Sequence, residues 1–296
     1  EHWRASLKLR PGQPEVSRLL ELLESHKPFA QGVVIPYRIP RPVECAILPG
    51  GGQAASGQQA VVTVVAESIG TLPEGLTLRC TTDGSDVGAA SPAAQGPLLV
   101  SPGTTIKVAG FVDGKLVTQV ATATISPGEP LAAVEGGKVT PGLTYTQYSA
   151  VGRGKGAADL NTAKVVATQA VGRMRLEEWM RDDAFGFGFD GWLDVPADAT
   201  YTFGVRSFNG TALWIDGRLV VDNQGEHPPR QRAGCVPLKA GMHAVRLAAA
   251  SRIQGDDLRV SWESAQMARE ELPADRLWRQ PPASQPASGP TTQPAR

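Results

Sequence analysis

The chain has 296 residues, with 29 Lys+Arg against 29 Asp+Glu, and at roughly 150 residues per domain its length suggests about two domains. The balance holds piecewise, with seven basic and five acidic groups in residues 1–44, four and seven in 45–140, and seventeen of each in 141–280. This excludes the basic footprint of a nucleic-acid binder, a polybasic membrane-surface segment and an acidic tail. No apolar run reaches the roughly 18 residues of a spanning helix. The 33 Gly and 24 Pro exceed the average of about 7 % and 5 % and point to many turns between short strands.

Residues 1–10 carry no charged and apolar stretch of a signal peptide and read as mid-sequence, so the chain is expected to be cut from a longer one. Residues 14–26 (PEVSRLLELLESH) predict a helix, with Val16, Leu19, Leu20 and Leu23 on one face. Pro14 suits a first turn, where its missing N–H has no partner to lose. Val33–Pro42 holds too many prolines for a central strand. Residues 1–44 therefore read as a connector.

Gly50–Gln59 is flexible by composition, and strands follow. Val61–Ala66 (VVTVVA) suits a core strand, Thr77–Thr82 another, and Leu98–Val100 a short one. Thr104–Val112 and Lys115–Val120 alternate on either side of Asp113-Gly114, a hairpin signal because type I′ turns need positive φ twice. Residues 127–140 read as a linker. In the second region Phe185-Gly-Phe-Gly-Phe189 has strict period two, with Asp190-Gly191 expected to turn the chain into Trp192–Val195. Tyr201–Ser207, Thr211–Ile215, Asp216-Gly217, Arg218–Val221, Val236–Leu238, His243–Ala248 and Leu258–Trp262 continue a meander. Residues 45–140 hold one aromatic, Phe111, whereas 141–280 hold thirteen, so the two regions have different cores. The tail over 280–296 is Pro-rich and expected to be disordered. The fold expectation is all-β: two β-sandwiches in tandem, 45–126 and 141–279, with a helical segment before and a disordered tail after.

Cys45, Cys80 and Cys235 form no C-x-x-C pair, which argues against a zinc ribbon or thioredoxin motif. A Cys45–Cys80 bridge and buried free thiols are both open, with the thiols favoured.

Tyr201-Thr202-Phe203, Leu213–Gly217 (LWIDG), Val220–Asn223 (VVDN) and Leu238–His243 (LKAGMH) together resemble the protective-antigen domain family. That family is a β-sandwich found in bacterial glycosidases, toxins, adhesins and flocculins; the likeness spans about 141–278, with Ala199 replacing the first glycine of the pattern. A weaker likeness covers Val61–Ile125. There Thr82-Asp83-Gly84-Ser85 and Gly103-Thr104-Thr105-Ile106-Lys107 are similar to the fibronectin-III-like domain at the C-terminus of chitobiase-type β-hexosaminidases. The order of the two modules resembles the C-terminal part of bacterial family-20 β-N-acetylhexosaminidases. The resemblance implies an extracellular, periplasmic or cell-surface location, an upstream catalytic domain and a glycan partner containing N-acetylglucosamine.

Glycoside hydrolysis needs two carboxyl groups about 5–10 Å apart. Glu177-Glu178, Asp182-Asp183, Asp256-Asp257 and Glu270-Glu271 are neighbours in sequence, but neighbours on a strand point to opposite faces. Gly186–Gly191 matches G-x-G-x-x-G formally, yet no helix is predicted after it to bind phosphate. No G-x-S-x-G, H-E-x-x-H or P-loop occurs. His227 and His243 have no metal partner at ligand spacing. In sugar-binding members of the protective-antigen family two adjacent acids after the Y-T-F strand hold calcium, which takes six to eight oxygens. Here Phe208-Asn209 stands in that place; Asn209, Asp216, Asp222 and Asn223 are the oxygen donors nearby, although Asp216-Gly217 equally suits a hairpin turn. Binding without metal would stack a sugar on Trp192, Trp214 or Phe208, rings that also suit a core. A carbohydrate-binding accessory region is the expectation, with a structural spacer or protein-interaction module of a cell-envelope protein as the alternative.

Overall fold

The structure is a computed structural model that describes residues 43–68, 71–134, 139–149, 160, 163–176, 186–208, 210–225, 227–250 and 258–280. The helix expected over 14–26, the tail from 281, Phe185 and Asn209 lie outside these residues. In the first lobe the strands are β1 (Glu44–Leu48), β2 (Gly52–Ala54), β3 (Ala60–Glu67), β4 (Thr77–Thr81), β5 (Leu98–Val100), β6 (Thr104–Val112), β7 (Lys115–Leu116) and β8 (Ala121–Pro127). The β-branched run predicted from Val61 becomes β3, and Ile106 and Val108 point inward from β6. Asp113 (φ 48°) and Gly114 (φ 72°) make the positive-φ turn the D-G pair predicts. The expected strand over Lys115–Val120 stops at Leu116. Thr118 turns inward, where its Oγ1 accepts the Gly110 N–H at 2.8 Å and donates to the Gln119 carbonyl at 2.9 Å.

The second lobe contains β9 (Thr140–Pro141), β10 (Leu143–Tyr148), β11 (Val165–Val171), β12 (Gly186–Val195), β13 (Ala199–Ser207), β14 (Thr211–Ile215), β15 (Arg218–Asn223), β16 (Arg230–Leu238), β17 (Gly241–Ala250), β18 (Arg259–Ser264), β19 (Met267–Glu271) and β20 (Leu277–Arg279). One sheet runs β11-β10-β12-β17-β14-β15, with β20 beside β12 and β9 beside β20. Its inner face presents Tyr145, Phe187, Phe189, Leu213 and Leu247 to Tyr201, Phe203, Val260 and Trp262 of the opposing sheet. Tyr201 and Trp262 stack with ring centres 5.2 Å apart, and Phe187 meets Phe189 edge-on at 5.7 Å. The sequence places a turn at Asp190-Gly191, but β12 runs straight through it. Gly191 is a packing glycine: a Cβ there would lie 2.5 Å from the Trp278 carbonyl oxygen and 2.6 Å from Leu143.

A single sheet passes from one lobe to the other, in the order β19-β18-β13-β16-β2-β8-β6-β4. Strand β2 is the join, pairing parallel with β8 over Gly52–Ala54 and with β16 at Gly52 and Cys235. Only glycine fits position 52: its φ is +145°, and a Cβ would stand 2.5 Å from the Cys235 carbonyl oxygen. Thr200 and Thr202 point away from the aromatic core and are buried beneath the first lobe. Thr202 donates to the Val61 carbonyl at 2.9 Å, and Thr200 donates to Gln58 at 2.9 Å. Arg232 closes the edge of the seam on Glu67 at 2.9 Å. Cys235 joins Ile106, Val108 and Ile125 in the first lobe's core. All three cysteines are free thiols. Within the stretch read as a linker, Leu131 and Val134 hydrogen-bond to Pro237 and Met242 of the second lobe, each at 3.0 Å.

Candidate functional site

Strand alternation assigns the outer face of the β10-β12-β17-β14 sheet. With Phe187, Phe189 and Leu193 inward, Asp190 and Trp192 point outward. The pairings align Thr144, Asp190, Arg246 and Trp214 in one row across four strands, and set Trp192 beside Ala244 in the next. The two rows border an open depression of about 640 Å³ lined by Trp192, Trp214, Asp190, Arg246, Ala244 and Thr144, with Gly217 at one side and Gln280 at the other. Ala244, the small residue between the two tryptophans, leaves the floor low. Both tryptophans are half-buried, so their rings support the fold and still present surface.

Arg246 lies 3.6 Å from Asp190, and the two side chains are 37 % and 40 % exposed. Burial raises the Asp190 carboxyl above its ordinary range, and the Arg246 charge partly counters it. Asp190, Arg246, Ala244 and Thr144 escape sequence reading because the expected turn at Asp190-Gly191 removes Asp190 from the strand that also carries Trp192.

The other candidate residues lie elsewhere. Phe208 is half-buried at the end of β13. Asn223 is fully buried beneath that end: its Nδ2 donates to Ser207 Oγ at 2.9 Å, and its Oδ1 accepts from Arg230 Nε at 2.8 Å. Arg230 Nη2 also donates to the Gln224 carbonyl at 2.9 Å, and His227 Nε2 faces the Asn223 carbonyl at 2.9 Å. Asp222 is exposed and caps the Gln224 N–H at 3.1 Å. Asp216 sits at the far end of the β14–β15 hairpin, five residues past Thr211, the partner of Asn223, and so about 17 Å from Asn223 at about 3.3 Å per residue. There Asp216 (φ 48°) and Gly217 (φ 75°) form the turn. Asp216 Oδ1 accepts the Ala244 N–H at 2.7 Å, and its Oδ2 lies 2.6 Å from His243 Nδ1.

The described donors do not converge on one calcium, and Asn209 lies outside the described residues. Asp216 and Asn223 stand at opposite ends of a hairpin, and the Asn223 side-chain oxygen already receives a guanidinium. Among the described residues no group of three or more His, Cys, Asp and Glu could hold a metal ion. Of the acidic pairs, Glu270-Glu271 is described. Glu270 accepts from Trp262 Nε1 at 3.1 Å while Glu271 pairs with Arg259 at 3.1 Å, so the two carboxylates serve separate structural contacts.

No curated protein matches the sequence. Among solved structures, the chain is similar to an anti-sigma factor domain-containing protein from Clostridium clariflavum, at 16 % identity over 80 % of this chain and 83 % of that one, with a TM-score of 0.38. It is similar to a PA14 sugar-binding domain from an RTX adhesin, at 18 % identity over 47 % of this chain and 99 % of that one, TM-score 0.39. It is also similar to the epithelial adhesin 9 A domain from Candida glabrata in complex with Galβ1-3GlcNAc, at 10 % identity over 48 % and 90 %, TM-score 0.37. The sequence matches the PA14 domain family over residues 140–276, so the lobe that carries the tryptophan depression is a PA14 domain.

Proposed function

We propose that this chain is a non-catalytic, carbohydrate-binding accessory region of a secreted glycoside hydrolase of the β-N-acetylhexosaminidase type. The observation that carries the binding role is the pairing of Trp192 and Trp214 around Asp190 and Arg246 in one open depression of a PA14 domain. A pyranose has apolar C–H faces and a polar hydroxyl rim. Flat rings beside a carboxylate and a guanidinium answer both, in the way ligand sites combine aromatic lining with a few placed polar groups. The first lobe supports an accessory role. It shares a sheet with the PA14 lobe and buries Thr200 and Thr202, an arrangement that holds the binding face in a fixed relation to the first lobe. The hexosaminidase parent and its upstream catalytic domain rest on the sequence likeness of Val61–Ile125.

The test is a glycan array, followed by calorimetric titration of the hits, with calcium and with chelator, beside a glycosidase assay on the same chain. Glycan binding with no turnover is the expected result. An array blank under both conditions would leave the chain as a structural spacer, and measurable turnover would overturn the non-catalytic half.

A further inference from the structure

We propose that the Trp192–Trp214 depression takes an internal run of a neutral glycan chain, laid obliquely across Ala244 and held without metal. The proposal rests on the carbohydrate-binding reading and adds to it the site, the length of ligand and its charge.

Length follows from the register. Trp192 pairs with Ala244 on β17, while Trp214 pairs with Arg246, two residues along and on the far side of the same strand. Two strand spacings and one two-residue step separate the backbone roots of the tryptophans by about 12 Å. One pyranose is about as large as the indole it stacks on, so a ligand that covers both rings is longer than a single sugar. A ligand that touches both must contain linked units, with the low floor at Ala244 giving the intervening part its room.

Internal binding follows from shape. The depression lies on the outer face of a sheet, not in a closed pocket. Gly217 on one side has open space where a Cβ would stand. A glycan chain can therefore continue beyond the site on that side.

Neutrality follows from the ion pair. Asp190 and Arg246 compensate each other at 3.6 Å, and both keep exposed polar edges. Neighbouring hydroxyls can donate to the carboxylate and accept from the guanidinium together. A carboxylated or sulfated sugar would gain at Arg246 and lose at Asp190. No calcium is needed to hold the hydroxyls, and Arg230 already occupies the side-chain oxygen of Asn223.

The experiment titrates the whole chain with a ladder of β-1,4-linked N-acetylglucosamine oligomers from the monosaccharide to the hexasaccharide. Any other neutral glycan that binds on the array is taken through the same ladder, and oligogalacturonides serve as the charged comparator. Affinity should rise roughly tenfold or more between the monosaccharide and the trisaccharide and then level off, because a second ring comes into contact. Trp192→Ala and Trp214→Ala should each remove most of that gain, and Trp192→Phe should restore part of it. Ala244→Leu fills the floor without touching a ring or a charge, and should abolish binding while the melting temperature stays near that of the native chain. Monosaccharide binding as tight as that of the hexasaccharide, preference for the charged oligomers, or full binding by Ala244→Leu and both alanine variants would overturn the proposal while leaving carbohydrate binding intact. Failure of the native chain to bind any glycan would overturn both.

Discussion

His243 Nδ1 lies 2.6 Å from Asp216 Oδ2, and its Nε2 lies 2.8 Å from the Lys239 carbonyl, so both ring nitrogens of a fully buried histidine face oxygen. Burial alone would lower the imidazole pKa. The Asp216 carboxylate and the Lys239 carbonyl outweigh it, and the net shift is upward from 6.5. A raised folded pKa gives stability that is fully present below the unfolded value, about 6.5, and is lost as pH rises through the folded value. The melting temperature should therefore fall as pH rises above about 6.5. Asp216→Asn keeps a residue tolerant of positive φ but removes the charge, and should flatten that part of the profile. His243→Ala should cost on the order of 2–4 kcal/mol, because it strands buried polar groups. Calorimetric scans at several pH values read all three, and an unchanged profile in Asp216→Asn would refute the dyad.

The seam between the lobes gives a second expectation. Cys235 is buried against Gly52, and burial pushes its thiol up to about 12. It should resist alkylation in the native chain at neutral pH. Gly52→Ala forces a Cβ to within 2.5 Å of the Cys235 carbonyl oxygen in a backbone region that L-residues rarely adopt. It should cost about 3 kcal/mol or more. It should also split the single melting transition of a shared sheet into two and make Cys235 reactive. One transition with Cys235 still protected would show that the seam does not couple the lobes.

Much of this architecture is legible in the sequence because local rules and tertiary packing agree. The β-branched run at Val61, the alternation around Ile106, and the turns at Asp113-Gly114 and Asp216-Gly217 all form where their chemistry puts them. Asp190-Gly191 fails for a physical reason. The same dipeptide that supplies positive φ in a turn here supplies a missing Cβ under Trp278, and only the distant partner distinguishes the two uses. That one substitution of packing for turning hides the polar part of the site, since Asp190 and Trp192 share a face only if the strand continues. The join through β2 is hidden for a similar reason: Gly52 lies in a stretch whose composition reads as flexible, and its partner is Cys235, far along the chain.

Calcium dependence is the third expectation, and it separates this PA14 domain from the sugar-binding pattern that its sequence resembles. Arg230 donates to Asn223 Oδ1 and to the Gln224 carbonyl, so the cation under the β13 end is a guanidinium supplied by the chain. Adding millimolar calcium or chelator should leave both the melting temperature and glycan affinity unchanged. Arg230→Met should cost about 1–3 kcal/mol, since the buried Asn223 oxygen loses its donor. A calcium-dependent rise in melting temperature would mean that Asn223 exchanges its guanidinium for the metal.

The last expectation decides between the two ends of the domain. Phe208 stands at the β13 end, beside the Asn223–Arg230 network, whereas Trp192 and Trp214 line the sheet-face depression with Asp190 and Arg246. A ring that binds sugar contributes through the apolar area it covers, and each ring lost should weaken binding by roughly tenfold. If the sheet face takes the glycan, Phe208→Ala leaves the affinity within about twofold of native, while Trp214→Ala lowers it by that larger factor. Asp190→Asn keeps the shape of the depression and removes one charge. It should weaken binding less than loss of a ring and should shift selectivity toward acidic sugars, because Arg246 is then uncompensated. The opposite order, with Phe208→Ala abolishing binding and Trp214→Ala leaving it whole, would place the sugar at the β13 end. It would also make the Asp190–Arg246 pair a structural contact only.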